Sequence, residues 1–392
     1  MKKLLLASAA VALIAGMAHA EDVKLGIIFG FTGPLESITP TMAAGAELAV
    51  AEVNASGLFM GEVSTVRTDS TCVDAAAAQS AAEALITSDG VKALIGPDCS
   101  GVAGVVLQNV ARPNGIGMIS ASATSPGLSS AEDDGLFFRT APSDARQGEI
   151  IADIINEKGI GSVAITYSNN DYGKGLADSI GAAFEALGGT VTLVAPHEDG
   201  KADYSAEVAA LAAAGGDMLV VAGYADQGGK GMIQASVDTG AFDAFFLPDG
   251  MYGESLVEAI GAPLNGSLGA VPGTDSNGAE IFQGLASEAG FDGQSAYAGE
   301  SYDAAALILL AMAKAGSTNS ADWTPLVMDI ANGPGEPILP GELGKALELI
   351  AAGTDIDYVG ATALEFVEPG ESAGSYREYE IKDGAITTVG YR

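Results

Sequence analysis

Histidine is scarce in this chain, and its scarcity limits the chemistry that the protein can perform. The 392 residues include two histidines, His19 and His197, too few for a multi-histidine metal centre. A hydrolase triad would have to use His197, but Pro196 and Glu198 give it a loop-like setting, so we interpret it as a surface residue. The sequence also has no Walker A motif and no complete GxGxxG after a strand. We therefore expect no metal, no cofactor and no enzymatic activity.

Basic residues are also few. The chain has 17 Lys plus Arg against 51 Asp plus Glu, and its formal net charge is −34. Such a surface repels the phosphate backbone of nucleic acids and anionic lipid headgroups, so we expect no nucleic-acid partner. Most of these carboxylates must coat the surface, and their number alone does not indicate acid-base catalysis.

The N-terminus has the pattern of a secretory signal peptide over residues 1–20. A positive start, Met1-Lys2-Lys3, precedes an apolar stretch from Leu4 to Ala18, and Ala18-His19-Ala20 offers small residues for cleavage. The rest of the chain has no uninterrupted apolar run of about 18 residues, the minimum for a membrane span. We expect an exported protein whose mature chain begins at Glu21.

Only two cysteines are present, Cys72 and Cys99. In an exported protein an even pair more often forms a disulfide than a metal site or a nucleophile. We predict that the two residues form a structural disulfide.

The hydrophobic pattern predicts an α/β fold with parallel sheets. Short β-branched runs alternate with longer amphipathic stretches, which implies right-handed βαβ units, and the length suggests two domains. The predicted strands are Val23–Phe31, Val63–Asp69, Val91–Gly96, Gly117–Ser122, Ser162–Ser168, Thr190–Ala195, Asp217–Gly223, Ala244–Leu247 and Leu268–Val271. The predicted helices are Pro40–Ala55, Val73–Thr87, Gly101–Ala111, Asp144–Lys158, Gly173–Leu187, Asp203–Ala214, Gly228–Thr239 and Ala279–Ala289.

Three places interrupt this alternation. Phe138–Pro142 and Gly269–Gly273 contain Pro or Gly and are interpreted as crossovers between domains. Near the C-terminus, Tyr376–Lys382 and Ala385–Val389 flank Asp383-Gly384, which predicts a β-hairpin with a type I′ turn.

Polar residues follow several of the predicted strands. Asp249 comes directly after Ala244–Leu247 and Pro248, and Ser100, Ser122 and Thr124 follow two other strands. Ligands of open α/β sheets bind at the carboxyl ends of the strands. Hydroxyls and free helix N–H groups suit an anion, and a carboxylate suits a cation. Together these residues indicate a site for a zwitterion, although Ser and Asp are also common helix caps.

Several of these stretches carry a family resemblance. Lys24–Leu35, with its TGPL turn, resembles the start of Leu/Ile/Val-binding proteins, the periplasmic receptors of branched-chain amino acid ABC transporters. Similar stretches follow over nearly the whole mature chain: Gly45–Asn54, Asp69–Cys72, Val91–Ser100, Ile119–Pro126, Phe138–Thr140, Asp171–Gly175, Asp217–Tyr224 and Ser301–Ala304. Each motif alone is weak, and their order and spacing make the resemblance specific.

The resemblance implies a type I periplasmic-binding fold, in which two doubly wound parallel-sheet lobes joined by three crossovers close on a ligand. We place the crossovers near Ala141, Val271 and Val359. Lobe 1 would comprise residues 21–141 and 272–358, and lobe 2 residues 142–271 and 359–392. The protein would be a periplasmic monomer that captures a small amino acid, branched-chain or related, and delivers it to an inner-membrane ABC permease.

The resemblance also implies roles for individual residues. Ser100 would contact the ligand carboxylate, and Ser122, Ala123 and Thr124 would provide hydroxyl and backbone contacts. Tyr172 and Tyr224 would contact the ligand from the second lobe, Asp249 would receive the ammonium group, and Cys72 and Cys99 match the family's disulfide. Ile38 departs from the pattern, because many relatives have an aromatic residue there, which alters the side-chain pocket. Asp226 and Tyr252 are further candidates for the cleft.

Two alternatives remain open at this point. Relatives of this family also bind amides, urea or aromatic carboxylates, and Asp249 discriminates among these ligands because it would repel an acid. A secreted hydrolase that uses His197 is the alternative from another class.

Overall fold

Two seven-stranded sheets organise residues 22–392, which are the residues that the computed structural model describes. The predicted signal peptide, residues 1–20, lies outside this range. The first sheet has its strands in the spatial order Phe366–Val367, Glu371–Ser372, Phe137–Pro142, Met118–Ser120, Ala93–Ile95, Val23–Phe29, Val63–Asp69. The second has the order Ala385–Tyr391, Tyr376–Lys382, Leu268–Pro272, Phe245–Leu247, Met218–Ala222, Ser162–Ser168, Thr190–His197.

Both sheets are predominantly parallel, as the alternation of strands and helices predicts. In the second sheet Ser162–Ser168 pairs in parallel with Thr190–His197 on one side and Met218–Ala222 on the other. Antiparallel pairing occurs at one edge of each sheet. A separate two-stranded sheet joins Glu336–Ile338 and Ile356–Tyr358.

Helices cover the faces of the sheets. The α-helices are Thr39–Ser56, Ala75–Ala84, Ser100–Val106, Arg112–Asn114, Asp144–Glu157, Asp171–Ala186, Ser205–Ala214, Gly228–Thr239, Glu254–Ile260, Asn277–Ala289, Ala298–Ala315, Ser320–Trp323, Val327–Ala331 and Leu343–Ala351. π-Helical turns at Leu85–Asp89 and Leu107–Ala111 extend two of them. Short 3₁₀ turns occur at Pro126–Ser130, Asp249–Met251, Ala262–Leu264 and Thr324–Leu326. Among residues 22–392 no helix is long and apolar enough to cross a membrane.

The helix Ala298–Ala315 is the central helix of the first lobe, and the pattern did not predict it. Its residues from Ala298 to Met312 are buried apart from Gly299, so it lacks the polar face from which helical periodicity is detected. It packs closely against Thr39–Ser56, where a Cβ added at Gly45 would lie 2.2 Å from the carbonyl oxygen of Ala298. The backbones of the two helices can approach this closely only because residue 45 has no side chain.

The C-terminal hairpin forms as predicted. Tyr376–Lys382 pairs antiparallel with Ala385–Tyr391. Asp383 and Gly384, which connect them, have φ values of 51° and 74°, and positive φ at both central residues defines a type I′ turn. Tyr376–Lys382 also pairs with Leu268–Pro272, so the hairpin completes one edge of the second sheet.

The predicted boundary near Val359 is wrong, because the chain stays in the first lobe beyond it. Phe366–Val367 and Glu371–Ser372 belong to the first sheet, where the second of them pairs with Phe137–Pro142. An ion pair of 2.5 Å between Glu371 and the buried Arg139 fixes this contact. The third passage between the sheets therefore lies between Ser372 and Tyr376. The segment Phe138–Pro142, predicted as a crossover only, is part of a strand that ends where the chain leaves the first sheet.

Candidate functional site

A small cavity lies between the two lobes, where the carboxyl ends of their parallel strands face each other. Both lobes contribute to its wall. From the first lobe the lining residues are Leu35, Asp98, Cys99, Ser100, Ser122 and Tyr297, and from the second they are Tyr172, Tyr224, Asp249 and Gly250. The structure therefore brings together five of the residues selected from the sequence: Ser100, Ser122, Tyr172, Tyr224 and Asp249.

Asp249 lies in the part of the cavity wall that the second lobe contributes. It follows the strand Phe245–Leu247 and begins a short 3₁₀ turn. The hydroxyls of Tyr172 and Tyr297 donate to its two carboxylate oxygens at 2.9 and 2.5 Å. Burial raises the pKa of Asp249, and the two tyrosine hydrogen bonds act in the opposite direction. A buried carboxylate with oriented donors is a suitable counter-ion for an ammonium group.

Tyr172 and Tyr224 form an aromatic pair beside this carboxylate. Their rings stack with centroids 5.1 Å apart. Tyr172 lies in the first turn of the helix Asp171–Ala186, at whose start the side chain of Asn170 accepts a hydrogen bond from the N–H of Gly173. A Cβ at Gly173 would lie 2.2 Å from the carbonyl oxygen of Ser168, so the Tyr-Gly sequence lets this turn sit close to the strand end.

The first lobe supplies hydroxyl groups to the opposite wall. Ser100 is the first residue of its helix, and its Oγ accepts a hydrogen bond of 3.0 Å from the N–H of Ser125. The Ser122 hydroxyl donates to the carbonyl oxygen of Asp98 at 3.0 Å. These bonds hold both serines in place at the cavity, where each hydroxyl can offer further hydrogen-bonding capacity to a ligand.

Three other residues predicted to bind ligand are not among the residues that line the cavity. The carbonyl oxygen of Ala123 accepts from the Arg139 guanidinium at 3.0 Å, and the Thr124 hydroxyl donates to Asp144 at 3.0 Å. Ile38 is buried in the turn before the helix Thr39–Ser56, and Leu35 lines the cavity instead. Direct contact of these three residues with a ligand stays a prediction.

Sequence reasoning missed four residues of the wall, which are Leu35, Asp98, Gly250 and Tyr297. Asp98 is 1% exposed, and burial raises its pKa to about 6, against hydrogen bonds that include those from the Gly30 N–H and the Ser70 hydroxyl. Its position directly before Cys99-Ser100 was the available signal. Tyr297 has a φ of 63°, unusual for a residue with a side chain, and such strain clusters at binding sites. Nothing in its surrounding sequence of small residues indicates this conformation.

A second buried carboxylate, Asp144, lies near Asp249. Burial raises the pKa of Asp144 well above its usual range, and the charge of Asp249 raises it further. The charge of Arg139, which is itself paired with Glu371, acts in the opposite direction. The interior around the cavity is therefore rich in carboxyl groups.

The match to known proteins covers most of the chain. A family model described as a periplasmic binding protein matches residues 22–325. The chain belongs to the periplasmic binding protein family. Leu/Ile/Val-binding protein homolog 1 of Brucella melitensis is 32% identical over 80% of this chain and 84% of that protein.

Solved structures show the same fold. A branched-chain amino acid transporter substrate-binding protein of Streptococcus pneumoniae, in complex with isoleucine, has a TM-score of 0.77 at 22% identity over 94% of this chain and 99% of that one. An ABC transporter solute-binding protein of R. palustris, in complex with 4-hydroxybenzoate, has a TM-score of 0.77 at 18% identity over 95% and 97%. The fold is the type I periplasmic-binding fold that the resemblance implies.

His197 is not the surface residue that we expected. It ends the strand Thr190–His197 and is 1% exposed. Its Nδ1 lies 2.8 Å from the Thr166 hydroxyl and its Nε2 3.2 Å from that of Ser168, and burial lowers its pKa to about 4. A triad would need a carboxylate on one ring nitrogen, and here both partners are hydroxyls.

The disulfide between Cys72 and Cys99 is confirmed, with the two Cα atoms 5.2 Å apart. Because Cys99 lines the cavity, the bridge also anchors part of the binding wall. Within residues 22–392 no group of three His, Cys, Asp or Glu side chains is arranged to hold a metal ion.

The two further candidates for the cleft have different surroundings. Asp226 bridges the lobes: its N–H donates to the Pro34 carbonyl at 3.2 Å and its carboxylate accepts from the Ser37 N–H at 3.0 Å. Tyr252 packs edge-on against Tyr379 and is not among the lining residues.

Proposed function

We propose that this protein is an exported receptor that captures a small amino acid, branched-chain or related, and delivers it to an inner-membrane ABC permease. The observation that carries this proposal is the cavity between the lobes, with a buried carboxylate on one wall and fixed hydroxyls on the other. Its relatives are named for leucine, isoleucine and valine. The protein works in the periplasm, and residues 1–20 direct its export.

Recognition of the amino acid backbone uses both lobes. The ligand's ammonium group binds Asp249, and its carboxylate binds the Ser100 and Ser122 region. The stacked rings of Tyr172 and Tyr224 cover the ligand from the second lobe. Because neither lobe holds a complete site, ligand binding stabilises the closed arrangement over the open one.

We also propose that the protein binds its ligand without chemical change and as a monomer. The charged groups at the cavity are carboxylates held by hydrogen bonds from hydroxyl or N–H groups, which suits recognition of a cation. The buried histidine lies outside the lining residues, so it has no place in a reaction there.

An aromatic carboxylate is the second candidate ligand. The stacked Tyr172 and Tyr224 favour an aromatic ring, and a neighbour of the same fold is in complex with 4-hydroxybenzoate. Asp249 disfavours this candidate, because a buried carboxylate repels an acid that brings no ammonium group. Amides and urea avoid that repulsion and belong in the same test.

A thermal-shift panel tests the proposed function. Purified protein is unfolded and refolded to remove bound ligand, then heated with each of the twenty amino acids, urea, an aliphatic amide and 4-hydroxybenzoate. A ligand at about 100 times its Kd stabilises the native state by about 2.7 kcal/mol, which is readily detected as a rise in Tm. At least one amino acid should raise Tm. A response to 4-hydroxybenzoate and to no amino acid would overturn the amino-acid assignment.

A further inference from the structure

Asp98 places a second buried carboxylate in the wall of the binding cavity. It comes from the first lobe, whereas Asp249 comes from the second. Its oxygens accept hydrogen bonds of 3.0 Å from the Gly30 N–H and 3.1 Å from the Ser70 hydroxyl. These two donors, together with the backbone N–H groups of Asp98 and Cys99, hold the carboxylate in place.

The two carboxylates line the same cavity from opposite lobes. Burial raises the pKa of Tyr224, and the charges of Asp199, Asp98 and Asp249 raise it further. A ligand held at Asp249 by its ammonium group would span the cavity toward the wall that includes Asp98.

The pocket on the other side of Tyr224 is also acidic. This second pocket, of about 380 Å³, shares Tyr224 with the first cavity and includes Asp171, Glu198 and Asp199 in its lining. Neither cavity has a lysine, arginine or histidine among its lining residues. A buried site with two carboxylates and no cation among its lining residues is best compensated by a ligand of positive charge.

An aliphatic side chain fits this wall poorly. The aliphatic side chain among the lining residues is that of Leu35, and the others are polar, aromatic, a glycine or part of the disulfide. A branched aliphatic group directed at Asp98 would cover a carboxylate without giving it a hydrogen bond, which is unfavourable in a buried site.

We propose that the ligand is a cationic amino acid whose α-ammonium group binds Asp249 and whose side-chain cation binds Asp98. This inference rests on the proposed function and specifies the class of amino acid. Both carboxylates then have a charged partner, and the hydroxyls of the first lobe remain for the ligand carboxylate.

Calorimetric titration with matched pairs of ligands tests the inference. L-ornithine is compared with its neutral isostere L-norleucine, and L-2,4-diaminobutyrate with L-norvaline. For at least one pair the cationic member should bind tenfold or more tightly than its isostere, because it adds a charged hydrogen bond in a desolvated site. Equal or tighter binding of the neutral member in both pairs would overturn the inference.

The variant Asp98→Asn tests whether Asp98 is responsible for the preference for cationic ligands. It should weaken binding of the cationic ligand tenfold or more and change binding of the neutral isostere less than threefold. Ser70→Ala is the matched control, since it removes a hydrogen bond to Asp98 and keeps the charge, so the cation preference should persist. An equal loss for both ligands in Asp98→Asn would mean that Asp98 only shapes the wall. If that variant does not fold, the wild-type comparison decides.

These outcomes separate the two proposals. Binding of neutral amino acids without any preference for cationic ones would reject the inference and leave the proposed function in place. If no amino acid of either kind binds, the proposed function fails as well.

Discussion

At the scale of single residues, Asp249 has the clearest expected effect on binding. Asp249→Asn keeps the size of the side chain and leaves the ligand's ammonium group without a charged partner. Loss of one partner of a buried ion pair costs about 2–5 kcal/mol, which is about 30- to 4,000-fold in Kd. The unliganded variant should fold with no loss of stability, because the substitution removes a charge that repels Asp144.

Calorimetry with the best ligand of the panel measures this effect. Asp243→Asn is the matched control, since Asp243 is an exposed aspartate in the same lobe, and its Kd should change less than about twofold. Equal affinities for Asp249→Asn and the wild type would mean that Asp249 does not bind an ammonium group, and would favour the amide or aromatic-acid ligand.

Glu300 gives a prediction about pH and stability. It is buried in the helix Ala298–Ala315, and burial raises its pKa from the ordinary 4.5 to about 8. Between pH 4.5 and about 8 the folded state therefore binds a proton at Glu300 more strongly than the unfolded state does. Its contribution to stability is fully present below about pH 4.5 and is lost as the pH rises to about 8. Glu300→Gln removes the ionisation.

We therefore expect Glu300→Gln to raise Tm relative to the wild type at pH 8.5 and to have much less effect at pH 5. Glu185→Gln, at an exposed position of another helix, is the control and should shift Tm little at either pH. Thermal unfolding followed by circular dichroism at both pH values checks this. The same Tm difference at both pH values would show that Glu300 is not protonated in the folded protein at neutral pH.

At the scale of elements, the loop of residues 33–38 reaches from the first lobe to the second. Asp226 holds it through the Pro34 carbonyl and the Ser37 N–H, and the Ser255 hydroxyl donates to the same carboxylate at 2.9 Å. The bonds to Pro34 and Ser37 can form only when the lobes are close together. We call residues 33–38 the latch loop.

Asp226→Ala should shorten the lifetime of the closed complex. A hydrogen bond to a charged group contributes about 1.5–3 kcal/mol, and partial exposure reduces this, so we expect the dissociation rate to rise about 3- to 30-fold. Stopped-flow measurement of ligand release checks the rate, with the exposed Asp238→Ala as control. An unchanged dissociation rate would mean that the latch loop does not stabilise closure.

Element prediction succeeded where periodicity and local signals were strong. Val63–Asp69, Ser162–Ser168 and Gly228–Thr239 have the predicted bounds, and the hairpin turn was evident from Asp383-Gly384. Helix Ala298–Ala315 was missed because it is buried on all sides and its pattern has no polar face.

The residues of the candidate site also divide into those that the sequence could predict and those that it could not. Residues that directly follow predicted strands, such as Asp249, could be found from the sequence, because strand ends mark the binding edge of a parallel sheet. Tyr297 could not, since its place in the wall depends on a left-handed backbone conformation and on packing between segments far apart in the chain. Asp98 also follows a predicted strand, but the sequence does not distinguish it from the many Asp and Glu residues expected at the surface.

At the scale of the whole molecule, the structure is a closed arrangement of two lobes. Contacts between the lobes at Asp226 and between Asp249 and Tyr297 surround the cavity. We expect the ligand-free protein to populate a more open state, and saturating ligand to reduce its radius of gyration in small-angle scattering. Asp249→Asn should require a higher ligand concentration for the same reduction. Identical radii with and without ligand would argue against closure.

The three passages between the sheets also affect how much of the chain the fold requires. Each lobe is assembled from stretches that are far apart in the sequence, so neither lobe corresponds to one continuous fragment. A chain cut before Tyr376 would keep every residue that lines the cavity. It would nevertheless make Leu268–Pro272 the edge strand of the second sheet, and exposed sheet edges promote aggregation. A C-terminal truncation would therefore reduce the yield of soluble protein, although it removes nothing from the binding wall.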